Sequence, residues 1–351
     1  MVSGGTYMTD VTVIVPVYNG ENYLRGCFDA LLKQDCRSFE VLVVNDGSTD
    51  HSQIVIDEYL RKAPSLFRCI RKANGGYGSA IRTGVRACHS DYFMICDADD
   101  MIEPRGVSTL LSMARMSGAD IVVGARMDQQ GMSGSLIYDP CYDKKRVSLK
   151  CADVYHREDE DYRDLFLIDP RSQSKLYRRK ITEAFRYPSK VGYADHILFY
   201  LSLLKAEKVI YTDAPLSVYR VRQLENADDR CAQLSGHILA YKRMLTQAEN
   251  MSHVPDRFYG MMYLMFNEMT DAIAKEEIPA EEKKNLMRSL KQYLLRLVPH
   301  ARAIRSSLGE GDQTLSERIR MEALFVKASR NAVYAIVAGS VASDKKEKEE
   351  E

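Results

Sequence analysis

The chain has 351 residues, 45% of them hydrophobic, enough for one large domain with an extension or for two domains. Lysine plus arginine and aspartate plus glutamate each number 49, so the formal net charge is zero and the basic field that nucleic-acid binding needs is absent. No run reaches the roughly 18 apolar residues of a membrane-spanning helix, and the eight cysteines stand singly, with neither CxxC nor metal-ligand spacing.

Residues 1–10 read as a disordered leader without the pattern of a secretory signal, which together with the scattered cysteines predicts a reducing, cytoplasmic setting. From residue 11 to about 126 short β-branched runs alternate with helical patterns. The strands are predicted at 11–15, 39–44, 67–70, 92–96 and 121–123, the rhythm of a parallel, doubly wound sheet. Tyr23, Cys27, Ala30 and Leu31 share one helical face, and Val107, Leu110, Leu111 and Ala114 another, so both helices are expected to pack on the sheet. Pro104 is expected in the first turn of the second helix, where its missing N–H costs little.

Past residue 129 the rhythm breaks into Gly/Ser-rich and polar loops, expected on the acceptor side of a binding site. Pattern returns at 175–185, 195–204 and 209–211, and the first domain is placed at 11–225. A helical extension at 230–342 follows, with helices near 234–250, 258–276, 281–298 and 316–341. Met261, Met262, Met265 and Met269 form a stripe suited to a core face. The basic last helix permits peripheral docking on a membrane surface, although packing on its own domain is the simpler reading. The charged tail at 343–351 is expected to be disordered.

Asp97-Ala98-Asp99-Asp100 directly follows the fourth strand. Carboxylates crowded on one loop repel unless a positive charge sits between them, and a hard divalent cation with oxygen ligands is the simplest such charge. In open α/β sheets the crevice beyond the carboxyl ends of the strands binds ligands, so a diphosphate bridged by the ion is expected there. On its own the quartet is read as well as a solvated acidic turn. Asp46, after the second strand, is placed to accept from a base N–H such as the imide of uracil, while Asp50 is first read as a helix cap. Asn74-Gly75-Gly76-Tyr77-Gly78-Ser79 is a glycine-rich loop that lets backbone approach a ligand, and it matches neither a Walker loop nor GxGxxG.

The order of these pieces is specific: Val13-Ile14-Val15-Pro16-Val17-Tyr18-Asn19, then Val43-Val44-Asn45-Asp46-Gly47-Ser48, then Asn74-Gly75-Gly76, then the acidic quartet. In this order the chain resembles the family 2 glycosyltransferases of GT-A fold, over about 11–222. The resemblance implies a GT-A-like, mostly parallel α/β sheet with a nucleotide-sugar half at 11–128 and an acceptor half at 129–225. It implies an inverting transferase that moves a sugar from a nucleotide diphosphate, expected to be UDP, to a hydroxyl of a glycan or lipid-linked acceptor. The expected setting is polysaccharide or glycoconjugate assembly for the cell envelope, at the inner membrane face. Pro16, Val17, Tyr18, Glu21, Asp46, Asn74 and Gly75 would line the nucleotide pocket. Asp97 would lie near the ribose and share a Mg²⁺ or Mn²⁺ ion with Asp99, and Asp100 would support them.

Gly192-Tyr193-Ala194-Asp195-His196 is similar to the family's helix start with a Glu-Asp pair, which makes Asp195 the expected base, with Ala194 in place of the usual Glu. A helix N-cap is the alternative for Asp195, and His196 is read first as a surface residue. Tyr77, Lys175, His196 and Arg220 are candidate acceptor or phosphate contacts, whereas Arg178 and Arg179 are read as solvated. Two rival functions stay open: a nucleotidyltransferase on sugar phosphates, and a catalytically silent binding or scaffold protein, the latter motivated by Ala194.

Overall fold

The computed structural model describes residues 9–131, 134–187, 192–221 and 227–308. The chain divides into two compact units, Met1–Gln223 and Leu224–Glu351.

The first unit opens with β1 (Val11–Val17), α1 (Leu24–Leu32), β2 (Phe39–Asn45), α2 (Ser52–Lys62), β3 (Phe67–Arg71), α3 (Tyr77–Ala87) and β4 (Tyr92–Ile95). It continues through β5 (Met101–Ile102), α4 (Gly106–Ser117), β6 (Ile121–Gln130), β7 (Leu136–Asp139), β8 (Val154–His156), β9 (Lys175–Arg178), α5 (Ala194–Leu203) and β10 (Lys208–Val221). The sheet order is β3-β2-β1-β4-β9-β6-β10-β5. Strands β3, β2, β1 and β4 run parallel, as do β6 and β10, which makes this a mostly parallel α/β sheet. β9 lies antiparallel between β4 and β6, and β5, β7 and β8 also pair antiparallel, with β10, β6 and β10 respectively.

Alternate residues of β1 serve opposite faces, as the two-residue period of a strand requires. Val11, Val13, Val15 and Val17 enter the core cluster shared with α1, α2 and α4, whereas Ile14 meets α3, where a Cβ on Gly84 would come within 2.4 Å of its Cγ2. The face of α1 is Leu24, Cys27, Phe28 and Leu31, not the expected set, because the helix starts after Tyr23 and Ala30 turns partly outward. Val107, Leu110, Leu111 and Ala114 of α4 are buried as expected. Pro104 lies before α4, because Met101 and Ile102 pair with β10 first.

The second unit contains α6 (Ala227–Ala248), α7 (Asp256–Lys275), α8 (Ala280–Leu297) and a short α9 (Ala301–Ser307). Met261, Met262, Met265 and Met269 of α7 are all buried, so the stripe packs in a core. Among the described residues no helix is long and apolar enough to cross a membrane. The expected basic helix at 316–341 and the tail lie outside the described residues.

Candidate active site

The carboxyl ends of β1, β2 and β4 carry Pro16, Val17, Tyr18, Asp46, Asp97 and Asp99 to one edge of the sheet, whereas Asn74 and Gly75 follow β3, Lys175 and Arg220 lie in β9 and β10, and Asp195 and His196 lie in α5. Pro16 and Val17 are buried in β1, Tyr18 beyond them is 55% exposed, and Asn19 adopts a left-handed conformation with φ of 50°. This loop is laced to the one after β2. Asn19 Oδ1 accepts from Thr49 N at 2.8 Å and Gly20 N donates to Ser52 Oγ at 2.9 Å. Asp50 is not the N-cap of α2, which is His51, because it sits one residue further out; its carboxylate accepts from Ser52 N at 3.0 Å and from Glu21 N at 3.1 Å. The Glu21 carboxylate accepts from His51 N at 2.7 Å.

Asp46 is buried and faces the glycine loop. It accepts from Gly75 N at 3.1 Å and Gly76 N at 2.7 Å, and it pairs with the Lys72 ammonium. The protein's own donors therefore occupy much of its acceptor capacity. Gly47 has φ of 73°, and a Cβ there would lie 2.7 Å from Asn74 N, so the close approach of the two loops demands glycine. Asn74 itself is exposed.

Tyr77 joins this loop to the acidic quartet. It is the first residue of α3, and its hydroxyl donates to Asp97 Oδ1 at 2.8 Å. The other oxygen of Asp97 accepts from Ser172 Oγ at 2.8 Å. Asp100 is held on both sides, by Gln173 Nε2 at 2.5 Å and by Arg220 N at 3.0 Å. Burial, then the charges of Asp195 and Asp99, push the Asp97 carboxyl up to about 7. Asp97 and Asp195, almost a hundred residues apart in sequence, thus lie within electrostatic reach of each other.

Asp195 sits in the first turn of α5, whose N-cap is Tyr193 in a left-handed conformation with φ of 58°. It is not the cap. Its Oδ1 is buried without a hydrogen-bond partner among the described residues, and burial pushes its carboxyl up to about 6. A non-glycine residue in that backbone region is strained, and such strain gathers where a side chain must be aimed.

Two expectations are corrected, for His196 by burial and for Arg178 and Arg179 by their partners. All ten residues of α5 are buried, so His196 is not a surface histidine, and desolvation lowers its imidazole to about 3, leaving it neutral. Lys175 is fully buried beside the Phe199 ring, with its ammonium donating to the Arg171 carbonyl at 2.5 Å. Arg178 and Arg179 are not simply solvated: the first donates to Asp120 Oδ1 at 2.8 Å and the second to the Ser90 carbonyl at 3.1 Å. The Arg220 guanidinium lies over the Tyr23 ring at 5.3 Å. Lys72, Ser172 and Gln173 were not singled out from sequence. Lys72 follows a parallel strand just as Asp46 does, a signal that was available, but nothing local marks Ser172 or Gln173.

Oxygen donors with raised proton affinity fit a hard divalent cation. Among the described residues no three His, Cys, Asp or Glu side chains converge to hold one. An ion at Asp97 and Asp99 would therefore complete its shell with substrate phosphates and water, as Mg²⁺ sites commonly do.

Comparison with known proteins bears on the family and the fold. Residues 12–186 match the family model described as Glycosyl transferase family 2. The chain belongs to this family. It is 33% identical over 225 residues to the glycosyltransferase GlyA of Streptococcus pneumoniae, covering 61% of this chain and 31% of GlyA. Among solved structures it is similar to TarS 1-349 of S. aureus in complex with UDP-GlcNAc, at a TM-score of 0.69 and 16% identity over 96% of this chain and 92% of that one. It is also similar to the mannosyltransferase PcManGT of Pyrobaculum calidifontis in complex with GDP-Man and Mn²⁺, at a TM-score of 0.50 and 15% identity, covering 97% and 89%. At such identities the likeness to the two structures is one of fold, and the fold is GT-A-like.

Proposed function

We propose that this glycosyltransferase is an inverting, metal-dependent enzyme that moves a sugar from UDP to a hydroxyl of a glycan or lipid-linked acceptor, with Asp195 as the base. The observation that carries the reading is the pairing of two environments. Asp195 is buried, lacks a partner on Oδ1 among the described residues and has its carboxyl raised to about 6, while Asp97, in the loop after β4, is raised to about 7 partly by the charge of Asp195. A base works best when its pKa lies near the working pH, and one oxygen left unbonded is what a proton acceptor needs.

In this reading Asp195 takes the proton of the acceptor hydroxyl while its oxygen bonds to the anomeric carbon. The bond from that carbon to the diphosphate oxygen breaks, and the electron pair leaves with UDP. A single displacement inverts the anomeric centre. Bound between Asp97, Asp99 and the diphosphate, Mg²⁺ or Mn²⁺ would neutralise the charge gathering on the leaving group. The Asp46, Lys72 and glycine-loop cluster would frame the base, and the UDP-GlcNAc bound by TarS supports uridine.

The test is a panel of nucleotide sugars with Mn²⁺, read by melting temperature and by product. A ligand held only by the native state raises stability, so a UDP-sugar with Mn²⁺ is expected to shift the melt and to release UDP, and Asp99→Ala to lose both. Pyrophosphate as product would mean nucleotidyl transfer instead. No shift and no product across the panel would mean a silent protein.

A further inference from the structure

We propose that Gln173 is a positioning residue for the acidic quartet, holding Asp100 as a strut so that Asp97 and Asp99 face the donor diphosphate in a fixed orientation. The inference rests on the functional reading above and goes beyond it by assigning a role to the acceptor-side segment.

Gln173 is 5% exposed. Its Nε2 lies 2.5 Å from Asp100 Oδ2, 3.2 Å from Ser172 Oγ and 3.4 Å from Asp97 Oδ2. The distances decide which contact matters. The short bond fixes Asp100, whose other oxygen is taken by Arg220 N of β10 at 3.0 Å, so the quartet is pinned to two separate elements. The long one leaves Asp97 with lone pairs to spare. A lysine in this place would compete with a cation for the carboxylates, and an acidic residue would add to their repulsion. A neutral donor does neither.

The segment that carries Gln173 is itself made rigid. Ser174 is left-handed with φ of 55°, its carbonyl accepts from Gly124 N at 2.7 Å, and its hydroxyl bonds Ser217 Oγ at 2.6 Å. Upstream, Asp169 is clamped by Arg126 and Arg171. A strained residue held from several sides aims its neighbour. Gln173 Oε1 is buried without a partner among the described residues. A residue kept only for packing would not carry that cost.

The experiment titrates Mn²⁺ into the full chain with UDP present and counts free ion by electron paramagnetic resonance, for wild type, Q173A and the shape-preserving Q173M. Loss of an outer partner of a ligating carboxylate typically costs about 10–100-fold in metal affinity. Both variants are expected to weaken Mn²⁺ by that factor and to bind UDP in EDTA as wild type does. Wild-type affinity in Q173M would overturn the proposal, since packing alone would then account for the residue. Tighter binding in either variant would also overturn it, since the amide would then be a competitor for Asp97. Should both variants fail to fold, Gln173→Asn keeps a neutral amide but shortens it by one methylene and so withdraws the 2.5 Å bond to Asp100 Oδ2, and unchanged Mn²⁺ affinity there overturns the proposal as well. A wild-type protein that binds no Mn²⁺ with UDP sinks the functional reading and this one together, whereas wild-type binding with unaffected variants sinks this one alone.

Discussion

As the proposed base, Asp195 would serve chemistry at the expense of stability. Its folded value of about 6 lies above that of an unfolded aspartate. The stability linked to its proton is therefore present below about pH 4 and lost as pH rises through about 6. Activity runs the other way, because only the carboxylate accepts a proton. The kcat/KM for sugar transfer is expected to rise with pH through an inflection near 6. Asp195→Asn should lower the rate by about 10²–10⁴-fold while raising the melting temperature at pH 8. A flat pH profile, or a variant that keeps its rate, would remove Asp195 from the base role. This residue was legible because aspartate at a helix start is easily found beside a family pattern. Its burial and empty Oδ1 were not, since they depend on every residue of α5 being covered, and that follows from packing.

At the scale of elements the site depends on a segment with no motif of its own. Residues 169–175 run from Asp169 to β9, and their anchor is Arg126 of β6, which is fully buried and paired with Asp128, Asp139 and Asp169. Those three carboxylates come from β6, β7 and the loop before β9, so one guanidinium ties these three segments together. Removing it leaves Asp128 and Asp139 without their cation and Asp169 with Arg171 alone, and breaking a buried ion pair in this way costs about 3–5 kcal/mol. Arg126→Met is expected to lose that much in urea denaturation at pH 7. The pH dependence has a definite sign. Arg126 and Arg171 overcome the burial penalty on Asp169 and hold its carboxyl well below the usual range. Its contribution is therefore complete above about pH 4, the value of an unfolded aspartate, and fades as pH falls further. The difference between wild type and Arg126→Met should accordingly narrow at pH 3, and a constant difference would count against the clamp. The strands β1 to β4 were legible because each is a short apolar run bounded by turn residues. β9 was not legible as an antiparallel insertion, because a four-residue strand buried on both faces carries no mark of its direction. The coupling of Gln173 to the quartet follows from that insertion, which is why sequence alone missed it.

For the molecule as a whole, the candidate site draws its residues from positions 16 to 220, all within the first unit, while the second unit has its own helical core. The second core contains a side chain that apolar packing does not explain. Asn267 of α7 is completely buried, and neither Nδ2 nor Oδ1 has a hydrogen-bond partner among the described residues. A buried polar group left unmade costs about 1–3 kcal/mol, and replacing it with an apolar group of similar shape removes the cost. Asn267→Leu is therefore expected to stabilise the protein by about 1–2 kcal/mol, measured as a rise in the calorimetric transition of the second unit. UDP release should stay at the wild-type rate, because no residue of the candidate site lies beyond position 220. If Asn267→Leu instead destabilises the protein, the amide is hydrogen-bonded through water, and the polar position belongs to a satisfied network. If turnover falls while stability rises, the second unit acts on the reaction through α7, and its core is tuned for more than its own folding.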